Sequence, residues 1–194
     1  SLEQFKTLSI ISNSNKIAPF IRIPEIKYNY IARALDLGAS GVMVPMVNTP
    51  GDVIKIVRSS KYPPQGKRGA GFGFAHDNYI NHNPLSYIEK ANNSLINIIQ
   101  IETKQGLENV KEIAAIDGVD CLWVGHFDLT NFLGIPGNFS STIYLDAINE
   151  IVFAANTHKK SLGIMVNNKQ ELETYSKLGF NTVSYTHLRA HETA

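Results

Sequence analysis

Residues Ile98 to Thr103 read IIQIET, an apolar run that ends on a carboxylate at Glu102. Continuous hydrophobicity is typical of a strand that is covered on both faces, as the strands of parallel sheets are. An unpaired charge buried at the end of such a strand costs several kcal/mol. The stretch therefore predicts a buried strand and, at its end, a group that requires the negative charge of Glu102.

The rest of the chain repeats this pattern of apolar runs separated by stretches of helical period. The predicted strands are Pro19–Ile23, Gly41–Val47, Leu95–Glu102, Cys121–Gly125, Leu162–Val166 and Phe180–Ser184. Apolar stripes at helical spacing occur at Ile148, Ile151, Val152 and Ala155 and at Leu107, Val110 and Ala114, and Asn48-Thr49-Pro50 predicts a helix start. Strand and helix therefore alternate, which predicts an α/β fold with right-handed crossovers.

Two architectures fit this order, an open doubly wound sheet and a closed (β/α)8 barrel. A doubly wound nucleotide-binding fold carries a G-x-G-x-x-G turn after an early strand, and no run here is followed by one. We therefore predict a TIM barrel. With about six of its eight strands, it is expected to be incomplete, with unpaired edges at Pro19–Ile23 and Phe180–Ser184.

Composition excludes several kinds of partner. The 194 residues are 43% hydrophobic and carry 18 basic and 17 acidic side chains, with no basic block. No segment has the roughly 20 consecutive apolar residues that span a bilayer. Neither nucleic acid nor a membrane is expected as a partner, and the single cysteine, Cys121, favours a cytoplasmic location.

Three polar residues stand at the predicted strand ends, namely Arg22, Glu102 and Asp128. The carboxyl ends of barrel strands form the active-site face, so the two carboxylates can share a divalent cation. Oxygen ligands without a Cys/His cluster suit Mg²⁺ or Mn²⁺. A carboxylate at the end of a buried strand is more often a helix cap or an ion-pair partner than a metal ligand, and Arg22 could pair with a core carboxylate, so the pattern by itself leaves these alternatives open.

Several ordered motifs carry a family resemblance. They are IRIP, LDLGASGVMVPMVNT (Leu35–Thr49), KYPPQGKRG (Lys61–Gly69), QIET with Gly106 and Asn109, and GVDCLWVGHFDLTNFLGIPG (Gly118–Gly137). Together they resemble the HpcH/HpaI aldolases, class II metal-dependent pyruvate aldolases with a barrel of the phosphoenolpyruvate/pyruvate type. The resemblance covers about residues 1–184 and does not specify the aldehyde.

The resemblance implies a role for individual residues. Glu102 of QIE and Asp128 of G-x-x-D-L would bind the metal ion, which would be Mg²⁺ or Mn²⁺, with Co²⁺ as a further candidate. Arg22 would contact the keto oxygen of pyruvate and stabilise the enolate. Gln100, Gly125 and the backbone N–H groups of Phe127 and Asp128 would hold the pyruvate carboxylate.

The sequence departs from the family pattern upstream of Ser1 and at His126. The family's E-H element, whose histidine is its usual acid/base candidate, is absent from these 194 residues, so the resemblance implies an N-terminally truncated chain that is itself inactive. His126 replaces the proline of G-P-x-D-L, and we favour a packing role for it over a role as base or ligand. His76 and His82 are interpreted as surface loop residues, with a place at the border of the substrate entrance as the alternative.

Residues 185–194 do not continue the family pattern. They have no apolar face, and we predict that they form a non-native or disordered tail after an aldolase domain at residues 1–184, with no metal role for His187 and His191.

The resemblance implies cleavage of a 4-hydroxy-2-oxo acid to pyruvate and an aldehyde through a metal-bound enolate. It also implies that the enzyme is a homo-oligomer, namely a hexamer. The alternatives are a citrate-lyase-like carbon–carbon lyase that acts on a thioester and a non-catalytic barrel fragment or paralogue.

Overall fold

The computed structural model describes residues 2–73, 75–77, 79–80 and 83–185. These residues contain six parallel strands, which pair in the order in which they occur along the chain. The strands are β1 Phe20–Arg22, β2 Gly41–Val44, β3 Ile96–Ile101, β4 Cys121–Val124, β5 Ser161–Val166 and β6 Thr182–Tyr185. The sheet curls into part of a barrel, which confirms the predicted barrel of about six strands.

Helices lie between the strands. They are α1 Leu2–Ser14, α2 Tyr28–Asp36, α3 Pro50–Ser60, α4 Pro84–Ser94, α5 Lys104–Glu108, α6 Val110–Ala114, α7 His126–Phe132, α8 Thr142–Thr157 and α9 Lys169–Lys177. The predicted start of α3 is confirmed, because Thr49 and Asp52 form a capping box there. Within the described residues, no helix is both long enough and apolar enough to cross a membrane.

The single helix expected after IIQIET is instead two short helices. Asn109 stands between α5 and α6 with ψ near 10°, and its side chain Nδ2 donates to the carbonyl oxygen of Asn48 at 2.8 Å. This contact with the loop after β2 accounts for the interruption. Leu107, Val110 and Ala114 are nevertheless all buried, as their spacing predicted.

The two faces of the sheet differ in what covers them. Alternate strand residues pack against the helices and form the main core, which includes Val42, Val44, Ile99, Ile101, Leu122, Val124, Leu162, Ile164 and Val166. The other, inner face carries a smaller cluster of Met43, Ile98, Cys121, Trp123 and Met165. Trp123 lies against Gly163, where an added Cβ would come within 2.3 Å of the indole. The inner face is the one that carries the polar residues of the site.

The last strand ends one residue later than the predicted strand Phe180–Ser184. Tyr185, which the sequence places in the tail, is the last residue of β6 and pairs with Val166. Residues 186–194, with His187 and His191, lie outside the described residues, so the tail remains a prediction.

Candidate active site

Glu102 follows the last residue of β3 and shares the inner face with Gln100, two positions earlier. Both side chains are buried, with Glu102 only 1% exposed. Arg22, at the end of β1, and Asp128, in the first turn of α7, are exposed. The strand ends therefore bring one buried carboxylate, one exposed carboxylate and one guanidinium to the same edge of the sheet.

A chain of hydrogen bonds links these groups. Arg22 Nε donates to Gln100 Oε1 at 3.4 Å, and Gln100 Nε2 donates to Glu102 Oε2 at 2.6 Å. The other carboxylate oxygen, Glu102 Oε1, accepts from the backbone N–H of Met46 at 2.7 Å. Residues from β1, β3 and the loop after β2 are thus joined through a single carboxylate.

The loop that presents the Met46 N–H is itself held in place. Met46 has a positive φ of 56°, and Asn48 just beyond it accepts hydrogen bonds from Thr103 and Asn109. Gly106 of α5 lies so close that an added Cβ would come within 2.6 Å of a carbonyl oxygen of this loop. The residues that follow QIE in the motif therefore fix the donor that Glu102 uses.

The surroundings of Glu102 favour its neutral form. Burial raises the pKa of this carboxyl above its ordinary value, and the nearby charge of Asp128 raises it further. The Met46 N–H and Arg22 act in the opposite direction on the Glu102 pKa, but they do not offset burial. No salt bridge among the described residues includes Glu102, so its charge has no direct cationic partner there.

Gly125 separates β4 from α7 and lies against the buried carboxylate. An added Cβ at Gly125 would meet Glu102 Oε2 at 2.6 Å and Gln100 Nε2 at 2.8 Å, so only glycine leaves both side chains in place. Phe127 and Asp128 lie in the first turn of α7, where backbone N–H groups have no partner within the helix. The sequence-predicted residues are thus neighbours in the fold.

A cleft of about 260 Å³ opens at this point. Its lining combines the predicted polar residues with apolar residues of the inner face, and comprises Arg22, Met43, Gln100, Trp123, Val124, Gly125, His126, Phe127, Asp128, Met165 and Ser184. The volume lies just below the range of about 300–1,000 Å³ that is usual for drug-sized ligands. The cleft therefore suits a small molecule.

The donor set fits a hard divalent cation. Glu102 and Asp128 supply carboxylate oxygens, and Mg²⁺ is commonly held by one or two carboxylates while it keeps several waters. Within the described part of the chain, no group of three or more His, Cys, Asp and Glu side chains could hold a metal ion, so a zinc-type site is not formed there. A cation beside Glu102 would offset the cost of burying its charge.

His126 packs within a group of aromatic rings. Its ring centroid lies 4.6 Å from that of Phe127 and 5.2 Å from that of Phe139, and the side chain is 7% exposed. Burial lowers the His126 pKa, which Glu171 raises by a smaller amount, so the imidazole is neutral at pH 7. Burial also raises the pKa of the Cys121 thiol to about 12, which makes it a poor nucleophile.

His76 does not lie at the substrate entrance, which was the alternative position considered for it. It lines a separate cavity of about 730 Å³ that borders Phe20, Ser40 and Ile96, at the amino-terminal ends of the strands. The hypothesis that it borders the substrate entrance is therefore wrong for the cleft described above, which opens at the opposite ends of the strands. His82 lies outside the described residues.

Sequence reasoning missed several contributors to the site, of which three are instructive. The Met46 N–H depends on a positive φ that no local pattern indicates, although the preceding Pro45 marks the end of β2. Trp123 was recognised as a strand residue but not as part of the cleft. Phe139 reaches His126 from a loop beyond α7, and its sequence position gives no signal of that contact.

Comparison with known proteins gives a consistent picture. The sequence profile of the HpcH/HpaI aldolase/citrate lyase family matches residues 5–187. The 4-hydroxy-2-oxo-heptane-1,7-dioate aldolase of Shigella flexneri is 31% identical over 176 residues, which are 88% of this chain and 66% of the relative. The 5-keto-4-deoxy-D-glucarate aldolase of Shigella boydii is 34% identical over 167 residues, or 86% and 64% of the two chains.

A solved structure agrees in fold. The HpcH/HpaI aldolase from Desulfitobacterium hafniense superposes with a TM-score of 0.91 at 25% identity, over 95% of this chain and 71% of that one. The chain spans about two thirds of the length of the curated relatives it matches.

Proposed function

Because the chain belongs to the HpcH/HpaI aldolase/citrate lyase family, we propose that it is a class II aldolase that cleaves a 4-hydroxy-2-oxo acid to pyruvate and an aldehyde. The observation that carries the proposal is the chain of contacts from Arg22 through Gln100 to the buried Glu102, beside Asp128. The two Shigella relatives are both named as aldolases.

Glu102 and Asp128 would hold the divalent ion, with Mg²⁺ or Mn²⁺ as the first candidates and Co²⁺ as a further one. When bound, the ion would act as a Lewis acid on the keto oxygen of the substrate. The substrate can reach an ion held by these two carboxylates, because Asp128 is exposed and lines the cleft.

Arg22 would stabilise the negative charge that develops on the keto oxygen. Its planar guanidinium offers several donors, and the contact with Gln100 fixes its position at the edge of the cleft. Gln100, Gly125 and the backbone N–H groups of Phe127 and Asp128 would receive the carboxylate of the substrate. The absence of a side chain at Gly125 lets an anion approach this backbone closely.

In the proposed cleavage, the proton of the 4-hydroxyl leaves, C4 becomes the aldehyde carbon, and the C3–C4 bond breaks. Its electron pair enters the enolate of pyruvate, which takes up a proton at C3. We assign His126 a packing role and not this proton transfer, because the rings of Phe127 and Phe139 pack against its imidazole.

A thioester substrate with a nucleotide portion is a poorer fit. Such a substrate requires cationic side chains along a groove, and Arg22 is the only Lys or Arg among the described residues that line the cleft. A non-catalytic fragment or paralogue is distinguished by experiment, since it would not exchange the methyl protons of pyruvate.

The test uses the full-length protein and Mn²⁺ titration by calorimetry. Glu102→Ala and Asp128→Ala should each abolish measurable Mn²⁺ binding, whereas Asp146→Ala, at an exposed position on α8, should not. Unchanged affinity in both site variants would refute the metal assignment.

Arg22→Lys separates the role of the guanidinium from metal binding. Turnover should fall by orders of magnitude while Mn²⁺ affinity stays similar, because a point charge does not reproduce a planar fork. Arg58→Lys, at an exposed position on α3, is the matched control. Near-normal turnover of Arg22→Lys would return Arg22 to a structural role.

We also infer a cytoplasmic homo-oligomer. The free, buried Cys121 agrees with the first inference, and the exposed apolar residues Leu8, Ile11 and Phe20 agree with the second. Light scattering coupled to gel filtration measures the assembly directly, and a monomer across the accessible concentration range would contradict it.

A further inference from the structure

A connected group of aromatic rings stands beside the cleft. The ring centroids of Phe127 and Phe139 are 5.1 Å apart at an interplanar angle of 85°, and those of Phe139 and Tyr144 are 5.4 Å apart. Tyr144 is buried, and its hydroxyl oxygen lies 2.9 Å from that of Tyr175. Phe127 is therefore held in position by rings that are anchored in the core.

Phe127 nevertheless remains largely uncovered. Its side chain is 55% exposed, although it packs against both His126 and Phe139. It directly precedes Asp128 in sequence and lines the same cleft. A fixed and exposed apolar ring next to a proposed metal ligand provides a surface on which a second substrate can pack.

The charges at the cleft limit what that second substrate can carry. Among the described lining residues, Arg22 is the only Lys or Arg, and the proposed reaction uses it on the keto oxygen of the pyruvate portion. Asp128 lines the cleft and Glu102 lies beneath it. The remaining large lining side chains, Met43, Trp123, Phe127 and Met165, are apolar or aromatic.

We infer that the aldehyde of this enzyme is uncharged and apolar, and that its hydrocarbon chain packs on the ring of Phe127. This inference rests on the proposed aldolase function. With the divalent ion held by Glu102 and Asp128, a carboxylate on the aldehyde would still lie against the apolar lining, where Arg22 is the one Lys or Arg among the described lining residues, at a desolvation cost that an alkyl group does not have. The chain would thereby differ from the Shigella flexneri relative, whose dioate substrate carries a carboxylate at each end.

The experiment compares two aldehydes of equal length. Butanal ends in a methyl group, whereas succinic semialdehyde ends in a carboxylate. The full-length protein, supplied with Mg²⁺ and pyruvate, is assayed for aldol addition to each aldehyde. We expect kcat/KM for butanal to exceed that for succinic semialdehyde by at least about tenfold, the discrimination that small groups in apolar pockets typically give.

Three variants test the assignment to Phe127. Phe127→Ala should lower the butanal preference by about tenfold, and Phe127→Lys should raise kcat/KM for succinic semialdehyde because it adds the missing cation. Phe132→Ala is the matched control, because Phe132 belongs to the same helix, is 51% exposed and is not part of the cleft lining. Its preference should equal that of the wild type.

The outcomes separate this inference from the function on which it rests. Exchange of the methyl protons of pyruvate in the wild type, followed by NMR without any aldehyde, tests the proposed function alone, and its absence would overturn that function. If exchange occurs but succinic semialdehyde is used as well as butanal, the inference about the aldehyde is wrong. If Phe127→Ala and Phe132→Ala change the preference equally, Phe127 is not the residue that determines it.

Discussion

Gly125→Ala is the most direct test of the site geometry. The φ of Gly125 is −84°, a value that alanine adopts readily, so the substitution introduces no backbone strain of its own. Its effect is therefore steric. The new Cβ would lie 2.6 Å from both Cβ and Oε2 of Glu102 and 2.8 Å from Nε2 of Gln100.

The magnitude follows from these contacts. Carbon atoms pack best at about 3.5–4.0 Å, so Glu102 or the backbone at Gly125 must move by roughly 1 Å. Overpacking of this kind costs about 1–3 kcal/mol of stability, which lowers the melting temperature of a chain of this size by roughly 2–12 °C. A displacement of about 1 Å at the reacting groups lowers turnover by about 100-fold.

The assay combines three measurements on the full-length protein, namely Mn²⁺ affinity, pyruvate proton exchange and the melting temperature. The matched control is Gly51→Ala, where the nearest heavy atom lies 3.6 Å from the added Cβ and φ is not positive. Gly51 is in the first turn of α3, so this change should not destabilise the protein and should leave Mn²⁺ affinity unchanged. Wild-type exchange rate and affinity in Gly125→Ala would refute the close packing of Gly125 on the carboxylate.

Three further predictions concern buried polar groups. The pKa of Glu102 is raised in the folded protein, so the native state keeps this proton at pH values just above 4.5, where the unfolded chain has lost it. The free energy of unfolding therefore falls as pH rises from 4.5 through the pKa of the folded state. In metal-free buffer Glu102→Gln should remove this loss, and urea unfolding curves with the same pH dependence as the wild type would contradict it. Asn92 pairs with both the N–H and the carbonyl of buried Tyr62, at 2.8 and 3.0 Å. Asn92→Ala leaves the Tyr62 N–H unpaired, whereas the Tyr62 carbonyl still accepts from the Gly66 N–H at 3.0 Å. The change should cost about 1–3 kcal/mol by urea unfolding, and a cost well under 1 kcal/mol would show that water replaces the amide. Tyr144→Phe and Tyr175→Phe each break the hydrogen bond between the two hydroxyls, and each should lower the free energy of unfolding by about 1 kcal/mol. The double variant should lose less than the sum of the two, whereas strict additivity would show that the hydroxyls are not coupled.

Hydrophobic pattern was sufficient to predict the strands, because strands covered on both faces are continuously apolar. It was weaker at their ends. The second run was predicted to extend to Val47, but the strand ends at Val44, because Pro45 lacks an N–H and Met46 takes a positive φ. Strand ends depend on loop geometry, which periodicity does not report.

The candidate site was predictable at the level of residue type and position. Arg22, Glu102 and Asp128 stood at strand ends in the sequence, and the structure places them at one edge of the sheet. What the sequence did not show is which carboxylate is buried. Glu102 is buried and Asp128 is exposed, a difference set by the packing of Gly125 and by the loop that follows β2.

The contacts that meet at Glu102 also bear on how the protein folds. Arg22 and Gln100 are 78 positions apart in the chain, and Met46 and Glu102 are 56 apart. Loops of that size close late in folding, because the chain must lose its loop-closure entropy before the contacts that compensate for this loss can form. A ligand that binds at Glu102 therefore engages groups that are still apart in the folding transition state. Such a ligand is expected to slow unfolding while it leaves the refolding rate nearly unchanged, and so to lengthen the lifetime of the native protein.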